Sequence, residues 1–211
     1  MRKMLKAAGI VVSIVALTSA TALAGAGERP KVRFNAADQA SARAAMIRRG
    51  DLRPACCWKG GPVKPDFSTL SCPNYQPKVS DLVVTGAAAS AWQAGTYEVQ
   101  DSQATILQTA HMVRVNWQRE IEAPTLTSCI HQTLVAGGYE GAGPVTKLAF
   151  PRVAPNVAAF SVLAKAGVWI EFVALARGRT EIEVDVIGQS RAEVSATALR
   201  LSRLLAGRIE A

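Results

Sequence analysis

The chain has 211 residues and a formal net charge of +8, and 49% of its residues are hydrophobic. A chain of this length normally forms one domain with its own core, which argues against a second domain. The basic residues are scattered and form no block interleaved with aromatics, which argues against nucleic-acid binding. The positive balance suits a soluble protein near anionic envelope polymers or phospholipid headgroups.

The N-terminus has the three parts of a secretory signal peptide. Basic residues at positions 2, 3 and 6 precede an apolar run from Ala7 to Leu17, and Ala22-Leu23-Ala24 forms a small-x-small cleavage site. We predict a signal peptide over 1–24, an N-terminal extension over 25–34 and a secreted or extracytoplasmic mature chain without a transmembrane segment. A retained anchor is the alternative, although its apolar part is short of the roughly 20 residues that span a bilayer.

The four cysteines, Cys56, Cys57, Cys72 and Cys129, lie in the mature part. An even count in an exported chain favours disulfides, and four cysteines allow three pairings. Zinc binding by these cysteines with His131 is the alternative, but no Cys-x-x-Cys or His-x-x-x-His pair has the usual ligand spacing. We therefore predict no metal site and no cofactor.

The first half of the mature chain predicts three helices, two short strands and a long loop. Asn35 caps a helix over 36–49 that ends at Gly50. Proline-rich residues 51–80 predict an ordered loop, and extended segments follow at 82–85 and 89–93. Asp101 or Ser102 is expected to cap a long helix that ends near Glu122, and a shorter helix covers 127–136.

The C-terminal third predicts a meander of antiparallel strands over 145–152, 157–165, 168–176 and 180–187. An amphipathic helix then runs from Gln189 or Ser190 to Arg208 and packs on the sheet. The order of elements predicts an α+β fold, with an antiparallel sheet of about four to six strands packed by helices and a closing C-terminal helix. Residues 35–211 form the predicted single disulfide-stabilised domain.

The last strand alternates apolar and acidic residues, so we expect one face of the sheet to be core and the other to be wet. A turn at Arg177-Gly178-Arg179 is expected to set Ile170, Phe172 and Ala174 opposite the apolar side chains of the last strand. The acidic side chains are Glu181, Glu183 and Asp185.

The three carboxylates of the last strand follow each other at about 7 Å on one face. That spacing allows a cation site or a glycosidase acid pair. The interpretation we favour is a solvated face balanced by Arg177, Arg179 or Lys165, because acid catalysis needs a desolvated carboxyl group and nothing in the sequence indicates one.

His111 and His131 are the only histidines, so a hydrolase would have to use one of them with a carboxylate. The chain contains no Gly-x-Ser-x-Gly motif that would supply a serine nucleophile. Among the aromatic residues, Trp58 and Tyr75 lie in the proline-rich loop and are the predicted ligand-binding residues.

Several short motifs in residues 35–136 follow a definite order. They are Asp51-Leu52, Trp58, Pro65-Asp66-Phe67-Ser68, Cys72-Pro73, Ser80-Asp81-Leu82-Val83-Val84-Thr85-Gly86, Trp117 and Cys129. This order resembles secreted or lipid-anchored extracytoplasmic proteins of actinobacterial type. The meander and closing helix, over 145–209, are similar to the extracellular sensor domain of actinobacterial transmembrane serine/threonine kinases, a small α+β domain held by disulfides.

The resemblance implies a disulfide between Cys72 and Cys129, whereas Cys56 and Cys57 depart from the pattern. It carries over no catalytic residue, and without a kinase domain it implies no signalling role. Our leading hypothesis is an exported non-catalytic domain that binds an envelope ligand or a partner protein through a cleft around Trp58 and Tyr75. The alternatives are a secreted hydrolase that uses His111 or His131, and a structural or adhesion protein without a pocket.

Overall fold

The computed structural model describes residues 28–54, 57–96, 98–164 and 167–209. The predicted signal peptide, Cys56 and Lys165 lie outside the described residues. No described helix is long and apolar enough to cross a bilayer.

An open, mostly antiparallel sheet of eight strands organises the described residues, which confirms the α+β prediction and exceeds the expected strand number. The strands are β1 Lys31–Val32, β2 Lys59–Val63, β3 Val83–Ala94, β4 Glu98–Leu107, β5 Thr146–Leu148, β6 Asn156–Leu163, β7 Trp169–Arg177 and β8 Thr180–Gly188. The helices are α1 Ala36–Ala44, α2 Ala110–Glu120, α3 Leu126–Ala136 and α4 Arg191–Arg208.

The spatial order of the strands is β1-β3-β4-β8-β7-β6-β5, and β2 also pairs with β3. The expected meander corresponds to β5 through β8, in consecutive antiparallel pairs. Strand β1 is the one parallel neighbour, and it brings part of the predicted N-terminal extension into the sheet. The backbone amides of Val79 and Ser80 donate to the Glu28 carboxylate, which anchors this segment further.

The prediction of one long helix that ends near Glu122 is wrong for the first half of that helix. Residues 98–107 form β4, which pairs with β3 on one side and β8 on the other, and α2 begins after Thr109, whose hydroxyl accepts from the Met112 amide. Segments 82–85 and 89–93 belong to the single strand β3, with a register shift between Val84 and Gly86. Pairing on both sides satisfies the backbone of β4, and this tertiary context overrides its local helical pattern.

The proline-rich region contains a strand where we expected only loop. Strand β2 pairs with β3 from the edge of the sheet, with Pro62 opposite Ser90. Proline is tolerated there because an edge strand leaves some backbone amides outside the ladder. Helix α1 is also shorter than expected, although Asn35 caps it as predicted by accepting from the Asp38 amide.

The β7–β8 hairpin differs by one residue from the expected register. Arg177 pairs with Thr180, so Val173 lies opposite Val184 and Phe172 lies opposite Asp185. A one-residue change moves side chains to the other face of a strand. Ile170, Phe172 and Ala174 therefore share a face with the carboxylates of β8 rather than with its apolar side chains.

Helices cover part of each face of the sheet, and on the face that we expected to be wet Glu183 is exposed while Glu181 and Asp185 are partly buried. Helices α1 and α4 pack on one face, where α4 buries Val194, Ala198, Leu201, Ser202, Leu205 and Ala206, and where Ile209 is partly buried. Helices α2 and α3 pack on the other face with the segment that precedes β3. A disulfide joins Cys72 of that segment to Cys129 of α3, with their Cα atoms 5.7 Å apart. This pairing is the one that the resemblance implied.

Helix α1 packs tightly on β3 at Gly86. A Cβ atom at this position would overlap the backbone carbonyl of Asp38. The same turn of the helix is held by Arg179, whose guanidinium donates two hydrogen bonds to the Asp38 carboxylate at 2.8 and 3.1 Å. Gly86 therefore sets the distance between α1 and the sheet.

We expect Gly86→Ala to lower the free energy of unfolding by about 1–3 kcal/mol, because α1 must move away from β3. Gly207→Ala is the matched control, since no atom lies within 4 Å of the added Cβ in α4. Urea unfolding of both variants provides the measurement. Equal stability of the two variants would contradict the close packing of α1 on β3.

Candidate functional site

The predicted ligand-binding aromatics lie on opposite faces of the sheet. Each is only 5% exposed. Trp58 is in the core beneath α1 and α4 and donates from its indole to the Pro54 carbonyl at 2.9 Å. Tyr75 is in the core beneath α2 and α3 and donates to the Glu120 carbonyl at 3.1 Å. The two rings do not line a common cleft, and ligand binding at either of them stays a prediction.

The two histidines are not paired with carboxylates in the described part of the chain. His111 is exposed on α2, where its Nδ1 lies 3.5 Å from the Arg114 guanidinium. His131 is partly exposed on α3, with Nε2 at 3.1 Å from the Ala142 carbonyl. The structure therefore does not assemble the histidine–carboxylate pair that the hydrolase hypothesis requires.

A different group of polar side chains converges on the α2 side of the sheet. The β4–β8 pairing places Asp101 directly opposite Asp185 and Gln103 opposite Glu183. Helix α2 adds Glu120, and the loop before β3 adds Asp66. We call this group the acidic recess, and its six carboxylates are Asp66, Asp101, Glu120, Glu181, Glu183 and Asp185.

Hydrogen bonds to amide groups hold the walls of the acidic recess in place. The Asn116 side-chain amide donates to Glu120 and to Glu181, at 3.0 Å each, and so links α2 to β8. The Gln103 side chain donates to the Asp66 carbonyl at 2.7 Å and accepts from the Asp66 amide at 2.9 Å. These two side chains fix the helix and the loop relative to the sheet.

The carboxylate residues of the acidic recess are partly accessible to water. Glu183 is exposed, and the other five carboxylate residues keep part of their surface accessible. Burial is nevertheless the largest cause of the raised pKa values of Asp101, Glu120 and Glu181, as it is for Glu183 and Asp185. The recess carboxylates are therefore partly exposed groups with protein packed around them.

No carboxylate of the acidic recess forms an ion pair with a described residue. The structural carboxylates elsewhere behave differently, since Asp38 pairs with Arg179, Asp51 with Arg208 and Asp81 with Arg119. Arg179, which we expected to balance the acidic strand, is thus used by α1. Three carboxylates that hold elements together are thus neutralised by arginine, whereas the recess carboxylates have no cationic partner among the described residues.

This arrangement raises the pKa values of five carboxyl groups, those of Asp101, Glu120, Glu181, Glu183 and Asp185. Burial and the charge of Glu120 raise the pKa of Glu181 to about 8. Burial also raises the pKa of Glu120 to about 7 and that of Asp101 to about 6. Burial and the neighbouring Glu183 and Asp101 raise the pKa of Asp185 well above its ordinary value. The recess therefore takes up protons near neutral pH or requires a positive group from outside.

The donor set does not favour a metal ion. Among the described residues no group of three or more His, Cys, Asp or Glu side chains is arranged to hold one. Two buried side-chain oxygens at the acidic recess, Asn116 Oδ1 and Asp185 Oδ1, accept no hydrogen bond from a described residue. Acceptors of this kind suit the N–H donors of an organic cation.

Sequence reasoning found the β8 carboxylates but missed the rest of the site. It assigned Asp101 to a helix, which separated it from Asp185, and it gave no role to Glu120 or Asn116. Residues 99–106 carry little local signal for a strand, because Val99, Ala104 and Ile106 are their only apolar residues. The position of Asp66 over the sheet has no local signal, because the loop is placed by tertiary contacts.

Comparisons with known proteins establish no family. No family model matches the chain, and no curated protein matches it. One solved structure with a similar fold is the extracellular domain of PknH from Mycobacterium tuberculosis, at 11% identity and a TM-score of 0.48. The alignment covers 79% of this chain and 95% of that domain. A likeness at this level transfers no function.

We expect the free energy of unfolding to fall as the pH rises from 5 to 8. Carboxyl groups whose folded pKa lies above the unfolded value bind more protons in the folded state, so deprotonation in this window destabilises the fold. After allowance for solvent screening, the decrease should be on the order of 2 kcal/mol. Urea unfolding at several pH values measures it.

Glu181→Gln should flatten this pH dependence, because it removes the group with a pKa of about 8. Glu98→Gln, which removes an exposed carboxylate at the start of β4, serves as the control and should leave the slope unchanged. A free energy of unfolding that rises from pH 5 to pH 8 in the unaltered chain would show that ionisation of the recess carboxyl groups does not destabilise the fold.

Proposed function

We propose that this protein is an exported, non-catalytic binding domain, and that its acidic recess binds a cationic ligand of the cell envelope or extracellular space. One observation carries the proposal: six carboxylates converge and none of them forms an ion pair with a described residue, whereas Asp38, Asp51 and Asp81 each pair with an arginine. Unpaired charges in a cleft cost free energy, and a ligand with positive groups removes that cost.

The spacing of the recess carboxylates favours an extended ligand with two or more positive groups. Alternate residues on a strand are about 7 Å apart, so the carboxylates from Glu181 to Asp185 extend over about 13 Å. Asp101 widens the acidic stripe at the Asp185 end, and Glu120 widens it at the Glu181 end. A polyamine or a lysine-rich peptide segment matches both the length and the charge of this surface.

Export is supported by two features of the chain. The N-terminal sequence has the composition of a signal peptide. The Cys72–Cys129 disulfide is a bond that persists in oxidising compartments. Tyr75 lies in the core next to the proposed site, because its hydroxyl donates to the Glu120 carbonyl. Trp58, in the other core, supports the loop that carries β2.

We expect spermidine and trilysine to raise the melting temperature at pH 8 and low salt, by about 5–10 °C at a concentration 100 times Kd. Acetylated trilysine should have no effect, because it lacks the side-chain charges. Differential scanning fluorimetry and titration calorimetry provide the measurements. The effect should weaken at pH 5, which is below the pKa values of Asp101, Glu120 and Glu181.

The double variant Glu181→Gln/Asp185→Asn should lose this stabilisation, whereas Glu98→Gln/Glu140→Gln, which removes two exposed carboxylates outside the recess, should keep it. Equal losses of stabilisation in both double variants would show that the effect depends only on net charge and would contradict the proposal. Hydrolysis of a nitrophenyl ester or glycoside that disappears in His111→Ala/His131→Ala would support the hydrolase instead.

A further inference from the structure

The outer surface of the α1–α4 layer is rich in arginine. Residues 36–54 and 188–209 contain eight arginines and no lysine, and their acidic residues are Asp38, Asp51 and Glu193. Asp38 and Asp51 form ion pairs with Arg179 and Arg208, respectively. The layer is therefore strongly positive on the side of the sheet opposite the acidic recess.

Hydrogen bonds show that the residues after α1 lie against the C-terminal half of α4. Arg208 donates to the Met46 carbonyl at 2.8 Å, and Arg200 donates to the Asp51 carbonyl at 2.6 Å. The positive charge of Arg53 acts on Arg200 at the same junction. The turn over 48–53 and the end of α4 thus form one continuous surface.

Five arginines of this surface are exposed and form no ion pair with a described residue. We call them the arginine face, and they are Arg48, Arg49, Arg53, Arg152 and Arg203. Arg152 reaches this surface from the loop between β5 and β6. No ion pair with a described residue neutralises these five arginines, so their charges remain available to an outside partner.

A shallow cavity lies within the arginine face, between the β5–β6 loop and the last turns of α4. Its volume is about 290 Å³, and its lining consists of Pro151, Arg152, Val153, Arg203, Ala206 and Gly207. Two guanidinium-bearing residues thus border a space with small apolar neighbours. Leu204, 37% exposed, follows Arg203 on the same helix.

This chemistry matches a phospholipid surface. The planar fork of arginine binds phosphate oxygens in pairs, and arginine is the cation throughout this layer. Phosphates of a bilayer offer many anions in one plane, which suits five cations spread over one surface. The exposed Leu204 and the apolar cavity lining suit the boundary between headgroups and acyl chains.

We infer that the arginine face docks on a bilayer of anionic phospholipids, with a lipid phosphate between Arg152 and Arg203. The acidic recess then faces away from the bilayer, because it lies on the other side of the sheet. This inference does not depend on what the acidic recess binds.

Sedimentation with vesicles tests the inference. The full chain should bind vesicles of 30% phosphatidylglycerol in phosphatidylcholine more tightly than pure phosphatidylcholine vesicles, and the difference should shrink at high salt. Arg152→Gln/Arg203→Gln should weaken the binding about twentyfold, since each arginine near an anionic surface contributes roughly fivefold. The apolar N-terminus is common to all variants, so differences between them report the arginine face.

The matched control is Arg114→Gln/Lys147→Gln, which removes the same charge from exposed positions outside the arginine face. It should change vesicle affinity less than twofold. Equal losses in both variants, or equal binding to neutral vesicles, would overturn the inference. Binding to heparin but not to vesicles would identify an anionic polymer as the partner and overturn it as well.

Two further experiments distinguish a lipid phosphate from free phosphate and the arginine face from the acidic recess. Inorganic phosphate at millimolar concentration should not displace the protein from vesicles, and displacement that requires Arg152 and Arg203 would identify free phosphate as the ligand and overturn the lipid assignment. Glu181→Gln/Asp185→Asn should retain vesicle binding. This result would keep the arginine face independent of the outcome at the acidic recess.

Discussion

The pairing of β4 with β8 is the constraint on which the acidic recess depends. Its register places Asp101 opposite Asp185 and Gln103 opposite Glu183 on the same face. A shift of one residue would turn these side chains toward α1 and α4 and bury them in an apolar core. The cost of burying unpaired carboxylates there makes the observed register the favourable one.

Two layers of helices allow the sheet to carry unlike surfaces. The face beneath α1 and α4 buries a continuous apolar core. On the other face, α2 and α3 cover one part of the sheet, and the disulfide holds the segment before β3 against them. The remaining part of that face carries the recess carboxylates, and hydrogen bonds from Asn116 to Glu181 and from the Asp66 amide to Gln103 fix α2 and the loop relative to the strands.

Charge is distributed unevenly across this scaffold. Arginines pair with the carboxylates that secure α1, the turn after it and α2. Eight of the sixteen arginines lie in residues 36–54 and 188–209, and six of the sixteen acidic residues lie together in the recess. Such a separation gives the molecule two surfaces of opposite sign, each suited to a partner of the other sign.

The sequence by itself determined the elements whose patterns are local. The β6–β8 meander, the cap at Asn35 and the amphipathic α4 follow from period and capping chemistry within short windows. Only the tertiary structure decided that residues 98–107 form a strand, because that strand gains its hydrogen bonds from β3 and β8 on either side. The same long-range pairing brought Asp101, Glu120 and Asp185 together, and no short window contains the energy of contacts between residues so far apart in the chain.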